Sequence, residues 1–98
     1  MNSDPVDVSV VIVNWNTRDY LLDVVTSLKQ TTHRASMEII VVDNDSQDGS
    51  QEALRERHPD VTLIQNPGNY GFAKANNIGF AVARGRALSG EDRLRGAL

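Results

Sequence analysis

The sequence contains no cysteine, and this absence excludes both disulfide bonds and thiolate metal sites. It also has no basic block, since 10 Lys and Arg stand against 13 Asp and Glu, for a formal net charge of -3. Nucleic-acid binding requires cations that neutralise a row of phosphates, so a polynucleotide partner is not expected. No apolar run reaches membrane-spanning length, and acidic residues replace a cationic leader before the first run. The composition predicts a cytoplasmic protein with no membrane segment.

Three short apolar runs are present instead, within a chain of 98 residues that suits one small domain. The runs cover residues 6–15, 37–43 and 61–66. They are rich in β-branched side chains and too short for typical helices, so they predict strands buried on both faces of a parallel sheet.

A helical pattern follows each run. Thr17 and Ser50 are suited to cap the first and second helices, and Pro59 should stop the second. Residues of the first helix recur at helical spacing on one apolar stripe: Leu21, Leu22, Val25 and Leu28. The third helix carries an apolar stripe of its own: Phe72, Ala75, Gly79 and Val82.

Strand and helix therefore alternate three times, which predicts an α/β protein with a three-layer α/β/α, Rossmann-like parallel sheet. In such sheets ligands bind beyond the carboxyl ends of the strands. The segments at that edge are "NWNTRD", "DNDSQDGS" and "NPGNYGFAKANN", all rich in Asn and Asp. These residue types also build ordinary turns, so each segment alone is equally compatible with a structural loop.

Two ligand classes fit the second segment poorly. Four of its residues match the early positions of an EF-hand calcium loop, but the position of the bidentate Glu falls on Arg55. A dinucleotide site of the usual kind is also disfavoured, because the first loop has no glycine for the pyrophosphate. The acid that ends the second strand, Asp43, is placed where an α/β nucleotide binder often meets the base or sugar, and a nucleotide remains the favoured ligand.

Three motifs in order, "VSVVIVNWN", "EIIVVDNDSQDGS" and "NPGNYGFAKANNIGFAVARG", resemble the first half of family 2 glycosyltransferases with the GT-A fold, and rhamnosyltransferase-like members most of all. The resemblance implies a nucleotide-diphosphate sugar, UDP- or dTDP-linked, as the ligand, and inverting transfer to an acceptor hydroxyl. It implies that Asp43 accepts a hydrogen bond from the pyrimidine ring and that the third helix opens on the base and diphosphate. The nucleotide-binding residues expected from it are Asn14, Asn16, Asp43, Asp45, Gly71, Lys74, Asn76 and Asn77.

The chain departs from this family after the third helix. Family members continue into an apolar strand that ends in a metal motif of the Asp-x-Asp type, and later supply a catalytic base, whereas this chain continues as "ALSGEDRLRGAL". We therefore expect residues 1–86 to form the nucleotide-sugar-binding part and residues 87–98 an atypical polar tail. No catalytic residue, metal site or cofactor is predicted in this chain, although Mg²⁺ or Mn²⁺ is expected for a complete family domain. An inactive transferase fragment is the leading hypothesis, and a non-catalytic α/β nucleotide-binding or interaction module is the alternative.

The missing strand also bears on self-association. In the family's sheet the strand order begins 3-2-1, so strand 1 would become an unpaired edge in a chain without the metal-motif strand. Its apolar segment "VSVVIVNW" has no charge or proline to oppose pairing. The sequence therefore predicts a homodimer or other self-association through strand 1.

Overall fold

The computed structural model of the chain describes residues 6–31 and 36–89. These residues form strands and helices in strict alternation. The elements are β1 (Val8–Asn14), α1 (Arg18–Thr31), β2 (Met37–Asp43), α2 (Ser50–Arg57), β3 (Thr62–Gln65), α3 (Phe72–Val82) and β4 (Arg86–Ser89).

The four strands form one parallel sheet in the order β3-β2-β1-β4. β1 and β2 are the central strands, and most of their side chains are buried on both faces. This burial explains why their sequences are continuous apolar runs without the alternation of a half-exposed strand. The predicted α/β fold class is confirmed.

Helices cover both faces of the sheet. One core cluster joins the predicted stripe of α1 to Leu54 of α2 and to side chains of β1 and β2, such as Val10 and Val41. The cluster on the opposite face joins Val11, Ile40 and Val42 to α3 through Ala75. The arrangement is the three-layer α/β/α sandwich that the sequence predicts.

α3 lies close to the sheet because small residues face it. Ala75 is fully buried, and a Cβ added at Gly79 would overlap the side chain of Val11. Glycine is therefore required there by the approach of the helix, not by its backbone angles. Phe72 and Val82, predicted on the same stripe, are instead 45% and 48% exposed, whereas Ile78 and Phe80 pack against the cluster on this face of the sheet.

The prediction that β1 is an edge strand is wrong. Residues 86–89 form β4, which pairs in parallel with Val8–Val11 on the side of β1 away from β2. The sequence "RALS" is too short to show a strand pattern, and so residues 87–89 were expected in the tail; residues 90–98 lie outside the described ranges. Since β4 occupies this edge from Val8 to Val11, the predicted homodimer is not supported.

A side-chain cluster fixes the turn that leads from α3 to β4. The hydroxyl of Ser9, which is fully buried in β1, donates to Glu38 Oε1 of β2 at 2.6 Å and accepts from the amide of Gly85 at 2.9 Å. Glu38 Oε1 also accepts from the amide of Arg84 at 2.9 Å, and the Arg84 guanidinium lies 3.4 Å from Oε2. Burial raises the pKa of Glu38, but the hydrogen bonds from Ser9 and Arg84 together hold that pKa below its ordinary value.

This cluster predicts a pH-dependent contribution to stability. Because the folded-state pKa of Glu38 is lowered, its contribution is complete above about pH 4.5 and is lost as the pH falls through the folded-state value. Glu38→Gln should lower the free energy of unfolding at pH 7 by about 0.5–1.5 kcal/mol, as for a lost hydrogen bond, and the deficit should shrink towards pH 3. Urea unfolding of the variant and the wild type at pH 7 and at pH 3 measures this deficit.

Glu52→Gln is the matched control, because Glu52 is exposed on α2. A deficit of Glu38→Gln that is the same at pH 3 and pH 7 would show that the charge of Glu38 does not hold the turn.

Candidate functional site

Three loops leave the carboxyl ends of β1, β2 and β3 and meet at one edge of the sheet, called the carboxyl edge below. Loop 1 spans residues 14–18, loop 2 residues 43–50 and loop 3 residues 66–71. They are the segments that the sequence marks as rich in Asn and Asp, and the parallel topology brings them together as expected.

The carboxylate of Asp43 is the centre of the carboxyl edge. It is 1% exposed and accepts hydrogen bonds at both oxygens. Oδ1 accepts from Asn14 Nδ2 at 2.8 Å and from the Ser46 hydroxyl at 2.7 Å. Oδ2 accepts from the Ser46 amide at 2.8 Å and from Gln51 Nε2 at 2.6 Å. A carboxylate offers about four acceptor positions, so this one is fully used within the chain.

Loops 1 and 2 are joined at two further points. The Ser46 hydroxyl accepts from the amide of Asn16 at 2.8 Å, and the amide of Gln47 donates to Asn16 Oδ1 at 2.7 Å. Asn16 and Asp45 both have positive φ, 54° and 65°. Asn and Asp are the non-glycine residues that adopt this conformation most readily, which gives a local reason for their presence at these two positions.

Asp48 joins the first turns of two helices. Its carboxylate accepts from the amide of Arg18 in α1 at 2.9 Å and from the amide and hydroxyl of Ser50 in α2. Burial raises the pKa of Asp48, but the hydrogen bonds from Ser50 and Arg18 outweigh it and lower that pKa below its ordinary value. The sequence predicted Thr17 and Ser50 as caps; Ser50 is instead the first helical residue, and the Thr17 hydroxyl donates to Asn14 Oδ1 at 2.7 Å.

Loop 3 is attached to the end of β2 through Asn44. This side chain is 2% exposed, accepts from Asn66 Nδ2 at 2.9 Å and donates to the carbonyl of Gly71 at 3.3 Å. The amide of Gly71 donates to Asn69 Oδ1 at 2.9 Å. The start of α3 is thereby fixed relative to the central strands.

The structure brings the eight predicted residues to the carboxyl edge and the first turns of α3, but in two settings. Asn14 and Asp43 are buried inside the network. The exposed members are Asn16, Asp45, Gly71, Lys74 and Asn77. Asn76 is half-buried, and its Oδ1 has no hydrogen-bond partner among the described residues. A buried acceptor without a donor costs about 1–3 kcal/mol, which makes this atom a natural place for a donor from a ligand or water.

Sequence reasoning missed several members of the edge. Trp15 lies at the end of the run 6–15 that predicts a buried strand, but β1 ends at Asn14 and Trp15 is 53% exposed. Asn44, Ser46 and Gln51 carry no signal of their own, because their partners lie in distant segments.

The residues of loop 2 do not fit a metal ion. Within residues 6–31 and 36–89 no three His, Asp or Glu side chains come together as a possible ligand set. The oxygens of Asp43 and Asp48 are already used by N–H and O–H donors, which a cation would have to replace. The calcium alternative is therefore disfavoured by the donor set as well as by Arg55. None of the helices in these ranges combines the length and apolarity needed to cross a bilayer.

Comparison with known proteins gives relatives of one kind. An uncharacterised glycosyltransferase of Nostoc sp. is 35% identical over 85 residues, covering 84% of this chain and 26% of the relative. Glycosyltransferase GlyG of Streptococcus pneumoniae is 33% identical, covering 84% of this chain and 28% of that protein. The chain thus spans between a quarter and a third of the length of these relatives.

A solved structure similar to this chain is also that of a glycosyltransferase. The mannosyltransferase PcManGT of Pyrobaculum calidifontis, solved in complex with GDP-Man and Mn²⁺, superposes with a TM-score of 0.70 at 28% identity, covering 83% of this chain and 25% of that one. The family model described as glycosyl transferase family 2 matches residues 9–90, a range that runs from the second residue of β1 to the end of β4 and includes all three loops of the carboxyl edge. The chain belongs to glycosyl transferase family 2.

Proposed function

We propose that this chain provides the nucleotide-binding part of a family 2 glycosyltransferase. It holds the nucleoside diphosphate of a UDP- or dTDP-linked sugar against the carboxyl edge, for inverting transfer of the sugar to an acceptor hydroxyl. The observation that carries this proposal is the buried network around Asp43 and Asn44. It fixes the three loops in place and leaves a set of amide, carboxylate and aromatic groups exposed beside them. The structure of the related mannosyltransferase contains GDP-Man, which supports a nucleoside-diphosphate sugar as the class of ligand.

The exposed and buried residues take different roles. Asp43 was expected to contact the base, but a ring N–H would first have to displace Gln51 or another of its donors. Asp45 is exposed two residues later, and among the described residues its carboxylate accepts one long hydrogen bond, from Gln47 Nε2 at 3.3 Å. We assign Asp43 to positioning the loops, and Asp45 to accepting the ring N–H of a uracil or thymine base.

Transfer needs two further groups: charge stabilisation on the leaving diphosphate and a base for the acceptor hydroxyl. Asp43 and Asp48 are used as hydrogen-bond acceptors within the chain and Asp45 is assigned to the base, so these residues fit neither role. We infer that this chain alone binds the nucleotide without transferring the sugar, and that a complete family domain adds the metal ligands and base. The cytoplasmic location expected from the sequence stays a prediction.

The first test separates positioning from contact. Asp43→Asn would turn an amide N–H towards buried donors, so it should lower the free energy of unfolding by about 1–3 kcal/mol and weaken UDP binding as well. Asp45→Asn should keep the stability but lose about 1.5–3 kcal/mol of UDP binding, as for a charged hydrogen bond. Urea unfolding and calorimetric titration measure the two quantities.

Asp23→Asn, at an exposed position on α1, serves as the control for the loss of one charge. Base choice gives a second check: ADP, whose base lacks a ring N–H at its pairing edge, should bind more weakly than UDP or dTDP. If Asp43→Asn weakens UDP binding without any loss of stability, Asp43 contacts the base directly, as the family resemblance implies.

A second test concerns Trp15. Its exposed ring offers a stacking face to the base, and stacking of a base on an aromatic side chain contributes about 1–3 kcal/mol. Trp15→Ala should therefore weaken UDP binding by this amount with little change in stability. Val82→Ala, a truncation at a similarly exposed apolar side chain at the far end of α3, should leave binding unchanged. Equal changes in UDP affinity for Trp15→Ala and Val82→Ala would show that the Trp15 ring does not stack on the base.

A third test uses metal ions. Because loop 2 does not offer a free ligand set, UDP affinity should change less than twofold between EDTA and millimolar Mn²⁺ or Mg²⁺, beyond the metal binding of UDP itself. Titration in each buffer measures this. Metal-dependent turnover of any nucleotide sugar by this chain alone would contradict the proposal and direct attention to Asp45 and Asp48 as ligands.

A further inference from the structure

A cation and an aromatic ring are paired at the start of α3. Lys74 Nζ lies 4.6 Å from the centroid of the Tyr70 ring, within the range of a cation–π interaction. Both side chains are exposed, so this contact is formed at the surface of the carboxyl edge and not in the core.

Tyr70 and Lys74 differ in conformational freedom. Tyr70 lies between Asn69 and Gly71, and these neighbours are joined by the bond from the Gly71 amide to Asn69 Oδ1. The Gly71 carbonyl is held in addition by Asn44, and Gly71 has a φ of 82°, which favours glycine. The backbone on both sides of Tyr70 is therefore held, and the tyrosine side chain turns about two torsions only, whereas the lysine has a flexible four-carbon chain. Tyr70 is thus the less mobile partner of this pair.

Pairing with an aromatic ring leaves the positive charge of Lys74 without a neutralising carboxylate. Arg18, Lys29 and Arg84 form ion pairs with carboxylates, whereas Lys74 takes part in none of the ion pairs formed within the described ranges. The first turn of α3 contains no acidic residue. A carboxylate would neutralise the lysine, but a ring orients it and leaves its positive charge available to an anion.

We propose that Tyr70 is a positioning residue that holds the Lys74 ammonium in place for the diphosphate of the bound nucleotide. The inference rests on the proposed function and adds to it the device that orients the cation. Its consequence is specific: the Tyr70 ring should contribute to affinity for the diphosphate and not to affinity for the nucleoside.

Calorimetric titrations with UDP and with uridine test this on wild type, Tyr70→Leu, Tyr70→Phe, Lys74→Met and the double variant Tyr70→Leu/Lys74→Met. Tyr70→Leu should weaken UDP binding about two- to fivefold, the size of an exposed cation–π interaction, and leave uridine binding unchanged. Tyr70→Phe keeps the ring face and should bind UDP like wild type. In the Lys74→Met background, Tyr70→Leu should have no further effect.

Equal loss of UDP and uridine in Tyr70→Leu would overturn the inference, because the ring would then contact the base. Unchanged UDP binding in Tyr70→Leu would overturn it too, while leaving the proposed function intact. Absence of UDP binding by the wild-type chain would instead overturn the proposed function itself, and this inference with it.

Discussion

The buried carboxylate of Asp43 is the interaction on which the carboxyl edge depends. A charged group with 1% exposure is tolerated because each of its oxygens accepts two hydrogen bonds. Burying such a charge without partners would cost far more than a small domain can offset. The donors come from β1, loop 2 and α2, so satisfying one carboxylate requires three segments to take up a single arrangement.

Hydrogen bonds connect this centre to the loops that carry the exposed groups. The Ser46 hydroxyl binds the amide of Asn16 in loop 1, and Asn44, next to Asp43, binds the carbonyl of Gly71 in loop 3. Bonds of this kind contribute modestly to net stability, but a buried network that is fully satisfied specifies one geometry. For a binding site this means that little conformational entropy is lost when the ligand arrives. The exposed residues therefore project from a backbone that is already fixed.

A second buried hydrogen-bond cluster lies at the opposite end of the sheet, where it fixes the path of the chain into β4. Ser9, fully buried, and Glu38 bind the backbone of Arg84 and Gly85 and so direct the chain from α3 to the free side of β1. The close passage of Gly85 along the backbone of Val6–Val8 leaves no room for a side chain. β4 thereby pairs with Val8–Val11, a part of β1 that would otherwise expose unpaired backbone groups to another molecule.

The sequence alone determined the alternation of strands and helices, the two-sided burial of β1 and β2, the stripe of α1 and the gathering of polar loops at one edge. These features follow from local periodicity and from the direction of parallel strands, which neighbouring residues encode. Only the tertiary structure decided which polar residue is buried and which is exposed: Asp43 and Asp45 are the same amino acid two positions apart, and they differ through partners such as Asn14, 29 residues away from Asp43. It also decided the pairing of β4 with β1, because four residues carry too short a pattern to predict a strand, and the bonds at Glu38 and Ser9 that direct it join segments 46 and 76 residues apart.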